Sequence, residues 1–259
     1  MSASKVVFLP GAVLPAPLAY SGLVDLLGDD VEAIVKDLEV YRGASPPADY
    51  SLDTEVDGVL RETGARGWTR FHLVGYSGGG AAALACAASE PSRLLTLSLL
   101  EPAWGGHWDW SPRHERLWSE YDALAQLSHE DFMAAFTRLQ VRSEVRLPEP
   151  RSAPPPVWMS RRPAGIRALM RTFKTYALDR NALRRFDRPV YFALGGLSNP
   201  DQYGEIAERL GGVFRDFTLE VFHQRHHFDP PHRQEPSRLA ESLRSVWLRG
   251  DLLASAGAD

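Results

Sequence analysis

Residues 71–79, FHLVGYSGG, constrain this chain more than any other stretch, because they prescribe a buried strand, a sharp turn and a helix in succession. Phe71-His72-Leu73-Val74 is a short apolar run suited to a strand. Gly75-Tyr76-Ser77-Gly78-Gly79 has the spacing G-x-S-x-G, and residues 80–88 that follow are almost all Gly and Ala. A strand that turns directly into a helix forces the central residue into strained backbone. Glycines two positions to either side then leave room for neighbouring chain. Ser77 is thereby held at a helix N-terminus, whose dipole favours negative charge, and is a candidate nucleophile. A Gly-rich phosphate loop would need a G-K-[ST] ending or G-x-G-x-x-G, and neither is present.

The rest of the chain alternates in the same manner. Val6-Val7-Phe8-Leu9 reads as a buried strand running into a Gly/Pro loop, and Leu18 to Leu27 as a helix. Val31 to Val40 reads as a strand, and a helix runs from Leu52 to about Thr63 with Ser51 as its N-cap. Strands follow at Leu94–Leu100, from Pro189 onward and at Thr218–Phe222, with helices at Asp201–Leu210 and Pro236–Leu248. Such alternation predicts an α/β fold, a mostly parallel six-stranded sheet with helices on both faces, and ligands beyond the carboxyl ends of its strands. The alternation breaks between Pro102 and Asp187, where helical patterns at 112–127, 128–141 and 163–178 surround a Pro-rich loop at Pro148–Pro156. The expected organisation is a single domain, with core 1–101 and 188–259 and a helical cap at 102–187.

Composition excludes several classes. With 44% apolar and 24% charged residues in 259, the chain can bury a core and is not intrinsically disordered. No apolar run reaches the roughly 18–20 residues of a membrane-spanning helix, so no membrane partner is expected. The single cysteine, Cys86, excludes an intramolecular disulfide framework and a Cys-rich zinc site. A net charge of −4 leaves no strongly basic footprint for nucleic acid. Residues 5–19 have the length of a secretory apolar region, but Pro10, Pro15 and Pro17 interrupt it, which predicts a cytoplasmic protein.

The residues around the G-x-S-x-G turn resemble the α/β-hydrolase superfamily. Phe8-Leu9-Pro10-Gly11-Ala12 is similar to the strand end that opens the family's oxyanion loop, with Pro10 in place of the usual His. The helix after Tyr50-Ser51-Leu52, the segment Phe71–Gly79, and Pro91-Ser92-Arg93-Leu94 match further family segments. The chain begins at what that family counts as its third strand, as in the compact hydroxynitrile-lyase and esterase branch. The resemblance implies a serine hydrolase acting on a small ester, thioester or lactone, without cofactor or metal. The same framework also serves C–C bond hydrolases and lyases, and non-catalytic ligand-binding or signalling proteins.

It further implies a base after the last strand. There His227 takes the catalytic position in Phe222-His223-Gln224-Arg225-His226-His227-Phe228, with His226 the alternative one residue away. His226, His227, Asp229 and His232 also admit a reading as metal ligands, which would leave Ser77 idle. The acid departs from the family pattern. Where G-x-x-D is usual, Gly195-Gly196-Leu197-Ser198 puts Ser198 in place of Asp, leaving Glu101 at the end of the Leu94–Leu100 strand or Asp201 as candidates. Backbone N–H groups of Ala12 and Gly78 would form the oxyanion hole.

Two compositional biases attach to the cap. Five of the seven Trp lie in it, and Tyr76, Trp104 and Trp108 are candidates to line a substrate pocket. Residues 138–188 hold 13 Arg or Lys against 4 acids, a charge suited either to a solvated helix face or to steering an anionic acyl substrate. The expected partner is a small molecule, and the oligomeric state stays open, a homodimer included.

Overall fold

A computed structural model describes residues 3–148 and 155–256. Its centre is a six-stranded sheet of β1 (Ser4–Leu9), β2 (Val31–Val35), β3 (Phe71–Tyr76), β4 (Leu94–Leu100), β5 (Val190–Gly195) and β6 (Phe217–Phe222). The strand order is β2-β1-β3-β4-β5-β6 and every pairing is parallel. The chain leaves β1 toward one edge and later builds from β3 toward the other. The switch point therefore falls between β1 and β3, where an open parallel sheet exposes a crevice at its strand ends.

Period-2 alternation sends neighbouring side chains to opposite faces. Val7, Leu9, Leu73 and Leu97 enter one core, and Val6, Phe8, Val74 and Leu100 enter the other. The first core receives α2 (Leu52–Ala65) and α3 (Gly78–Ser89), and the second receives α1 (Ala16–Leu27) and the C-terminal helix α9 (Pro236–Ala256). Ser51 caps α2 by accepting from the Asp53 N–H, and Thr54 completes a capping box. Helix α3 is buried from Gly78 to Ala87, so it tolerates only small side chains. Cys86 lies on it, and burial pushes its thiol up to about 12, which makes it a packing residue.

Several boundaries differ from the sequence pattern. β2 ends at Val35, not Val40, because the chain turns at Asp37, whose carboxylate accepts the Ala16 N–H at 2.7 Å. Leu38 and Val40 are buried in the loop that follows and mimic a strand by their apolarity alone. The helix expected from Asp201 begins instead as a wide turn, Pro200–Gly204, before α8 (Glu205–Gly211).

Between β4 and β5 lie α4 (Pro112–Ala123), α5 (His129–Leu139), α6 (Arg162–Thr175) and α7 (Arg180–Arg185). Helix α7 has no counterpart in the apolar pattern, although Asp179 caps it by accepting from the N–H groups of Asn181 and Ala182. Most of the expected Pro-rich loop, residues 149–154, falls outside the described residues.

Candidate active site

Ser77 sits at the turn from β3 into α3 with φ 54° and ψ −116°, a backbone that L-residues rarely adopt. The turn is over-determined. Ser77 N–H donates to the Leu100 carbonyl at 3.1 Å, and its own carbonyl accepts from Ala103 at 2.9 Å and Ala81 at 3.1 Å. Gly79 explains one glycine of the motif. A Cβ there would lie 2.5 Å from the carbonyl oxygens of Leu9 and Pro10, and its N–H donates to Pro10 at 3.0 Å.

His227 reaches Ser77 from the loop after β6. Its Nε2 lies 3.0 Å from Ser77 Oγ, and its Nδ1 lies 3.1 Å from Glu101 Oε2. All three side chains are buried. The imidazole is stacked on Tyr203 at 4.3 Å, with Tyr76 at 4.9 Å, and the Tyr76 hydroxyl donates to the His227 carbonyl. Burial, with Glu101 nearby, raises the Tyr76 phenol well above its ordinary range and keeps it a neutral donor.

Glu101, at the end of β4, has φ 47°, and with Ser77 it is one of two non-glycine residues at positive φ among those described. Its Oε1 accepts the Gly195 N–H at 2.7 Å, so the end of β5 orients a carboxylate that β4 supplies. A hydroxyl, an imidazole and a carboxylate in this order can move a proton from Oγ to Nε2 while the carboxylate stabilises the imidazolium.

The alternatives lie elsewhere. Asp201 opens the Pro200–Gly204 turn, its N–H donating to Asn199 at 3.0 Å and its carbonyl accepting from His114 at 2.7 Å. It makes no hydrogen bond to His227 among the described residues. His226 is half-buried and its Nδ1 accepts the Phe228 N–H at 3.2 Å, away from Ser77. The four residues of the metal reading are engaged separately: Asp229 pairs with Arg225 at 2.7 Å, and His232 is packed between Tyr20 and Tyr76. No group of three or more His, Cys, Asp or Glu among the described residues could hold a metal ion.

Two cavities meet at Ser77, and Ala12 lines both. The first, about 30 Å³, is walled by Gly78, Trp118, Ile166, Leu169 and Phe173; the second, about 170 Å³, by Tyr76, His227, Pro230, His232 and Arg233. Ala12 and Gly78 thus flank Ser77, and the Tyr41 hydroxyl donates to the Ala12 carbonyl at 2.7 Å, fixing that peptide. Gly78 opens α3, where a first-turn N–H has no intrahelical acceptor.

Of the expected pocket residues, Tyr76 lines the second cavity, but Trp104 and Trp108 line neither. Trp104 stacks on Phe173 at 5.6 Å, and Trp108 packs under the Arg180 guanidinium at 3.7 Å. These aromatics pack into the hydrophobic core on that side of the sheet, and Trp118 is the tryptophan that lines a cavity together with Ser77. Tyr203, Tyr41 and Gln140 escape sequence reasoning because no local spacing ties them to Ser77 or His227.

The basic stretch does not gather at the site either. Arg162 stacks on Tyr41 at 4.1 Å and Arg167 on Phe132 at 4.0 Å, while Arg138 and Arg142 donate to backbone carbonyls. No Arg or Lys among the described residues of 138–188 lines either cavity.

The sequence profile of the alpha/beta hydrolase family matches residues 6–242, and the chain belongs to that family. A thermophilic esterase from Thermogutta terrifontis superposes with a TM-score of 0.67 at 20% identity, covering 96% of this chain and 90% of that one. An esterase from Exiguobacterium antarcticum gives 0.71 at 19% identity, covering 95% and 92%. Both likenesses are of fold. A putative carbamate hydrolase, RutD, of Caulobacter segnis is 29% identical over 97 residues, spanning 38% of this chain and only 34% of that protein. Among the described residues no helix is long and apolar enough to cross a membrane.

Proposed function

We propose that this protein is a serine hydrolase that cleaves a small ester, thioester or lactone through an acyl-enzyme. Residues 102–187 act as a cap over the core. The observation that carries the reading is the relay of Ser77 Oγ, His227 and Glu101, with contacts of 3.0 and 3.1 Å inside a buried site. His227 takes the Ser77 proton as Oγ attacks the acyl carbon. Glu101 holds Nδ1 protonated and stabilises the imidazolium. The N–H groups of Ala12 and Gly78 receive the charge that develops on the carbonyl oxygen in the transition state. His227 then protonates the leaving group, and water, deprotonated by the same imidazole, releases the acyl group from Ser77.

A fluorophosphonate probe tests this directly. The wild type is expected to label and Ser77→Ala not to. Intact, folded wild type that resists the probe, under conditions where a control serine hydrolase reacts, would remove the reading.

A further inference from the structure

The two cavities at Ser77 differ in more than size. The smaller has space for about one or two water-sized groups within a mainly apolar wall. The larger is the one lined by His227. A general acid must lie within hydrogen-bond reach of the atom it protonates. The leaving oxygen therefore departs into the larger cavity, and the acyl chain occupies the smaller.

The larger cavity also has a distinctive charge. Arg233 is exposed at its wall, and its guanidinium makes no ion pair or hydrogen bond among the described residues. No Asp or Glu among the described residues lines the same space. His232 is buried beside Arg233, with its ring 5.0 Å from Tyr20 and 4.7 Å from Tyr76, and neither ring nitrogen has a hydrogen-bond partner among the described residues. Burial pushes His232 down to about 3, so at neutral pH it adds no charge beside Arg233. One unpaired cation, a neutral imidazole behind it and no carboxylate among the described residues of the wall match a single negative charge on the departing half of the substrate.

We propose that this cavity is an anionic leaving-group subsite, so that the substrates are short-chain acyl esters of hydroxycarboxylic acids. Arg233 takes the carboxylate, and His232 packs behind it as an uncharged part of the wall. The inference rests on the serine-hydrolase reading and supplies its substrate class. As Ser77 Oγ bonds to the acyl carbon, its proton passes to His227. That proton then moves to the ester oxygen as the acyl C–O bond breaks, releasing the hydroxy acid with its carboxylate still on Arg233. Water cleaves the acyl-serine and frees the short acid.

The test compares acetoxyacetate with acetoxyacetamide, which differ only in that charge. The ratio of their kcat/KM values is expected to exceed about tenfold in the wild type, the scale of a hydrogen bond to a charged group. It should fall toward one in Arg233→Gln and stay near a few-fold in Arg233→Lys. A second arm measures glycolate and glycolamide binding to Ser77→Ala by calorimetry, with and without Arg233→Gln. Glycolate is expected to bind more tightly than glycolamide, and to lose about tenfold when Arg233 is replaced. Equal rates for the two esters, or a ratio unmoved in Arg233→Gln, would overturn the subsite while leaving the hydrolase reading intact. Selective glycolate binding in a wild type that turns over neither ester and resists the fluorophosphonate would instead retain the subsite and remove the hydrolase reading.

Discussion

β4 and β5 are neighbours in the sheet and end side by side, yet only one of them delivers a carboxylate. β4 ends in Glu101, at a backbone φ of 47° that an L-residue adopts at some cost. β5 ends in Gly195-Gly196-Leu197-Ser198, where the family pattern expects an acid, and the buried Ser198 hydroxyl has no partner among the described residues. The Gly195 N–H donates across to Glu101 at 2.7 Å. What the imidazole requires is a carboxylate at one point in space, and either strand end can be adapted to hold it.

The largest expected effect breaks this comparison on the β4 side. Glu101→Gln keeps the shape but removes the charge and the fixed acceptor at Nδ1, and kcat on an activated aryl ester should fall by about 10⁴-fold. Activity within threefold of wild type would show that Glu101 is only a backbone anchor for Gly195. A second variant approaches from the β5 side. Ser198→Asp placed in the Glu101→Gln background should recover at least about tenfold of the loss, since the two strand ends share the Gly195 peptide. No recovery in a folded double variant would mean that the β5 end no longer aims at His227.

The same contrast explains what the sequence disclosed. The β3–Ser77–α3 unit is legible because its information is local: an apolar run, a turn that needs glycine and a helix that admits only small residues. Ser51 is legible as a cap for the same reason. The choice between Glu101 and Asp201 is not, because both are acids near strand ends and linear spacing carries no record of a positive φ at position 101. His226 and His227 differ by one residue, and the loop after β6 has no periodicity to fix which ring turns inward. Trp104 and Trp108 were credible pocket residues by composition, but aromatic density cannot distinguish rings that line a cavity from rings that pack on one another. The Arg bias of 138–188 has a related outcome: guanidinium groups there stack on rings and donate to carbonyls, whereas Arg233, outside the biased stretch, faces the cavity.

A third strand end, that of β1, sharpens the comparison with an intermediate effect. Tyr41 touches no reacting atom; as a positioning residue it holds the Ala12 carbonyl at 2.7 Å, on the peptide next to the one that carries the proposed oxyanion donor, the Ala12 N–H. Direct loss of an oxyanion donor costs about 10²–10³ in kcat, and misalignment through a second residue should cost less. Tyr41→Phe is expected to lower kcat by about tenfold with KM changed little. A rise in KM at unchanged kcat would assign Tyr41 to substrate binding instead.

The smallest effect is expected at Asp201, the acid that the sequence could not dismiss. Its backbone is engaged by Asn199 and His114 at 3.0 and 2.7 Å, so the residue contributes mainly to the turn that leads into α8. The carboxylate is not part of either contact. Asp201→Asn preserves the turn geometry and removes only the charge, so kcat/KM should stay within about twofold, the range of a substitution outside the reacting groups. Because Glu101→Gln and Asp201→Asn make the same chemical change, stability losses in either variant can be checked by the same thermal melt and set aside. A loss at Asp201→Asn comparable to that at Glu101→Gln would mean that the Pro200–Gly204 turn swings toward His227 during turnover, and would return the acid to the β5 side of the sheet.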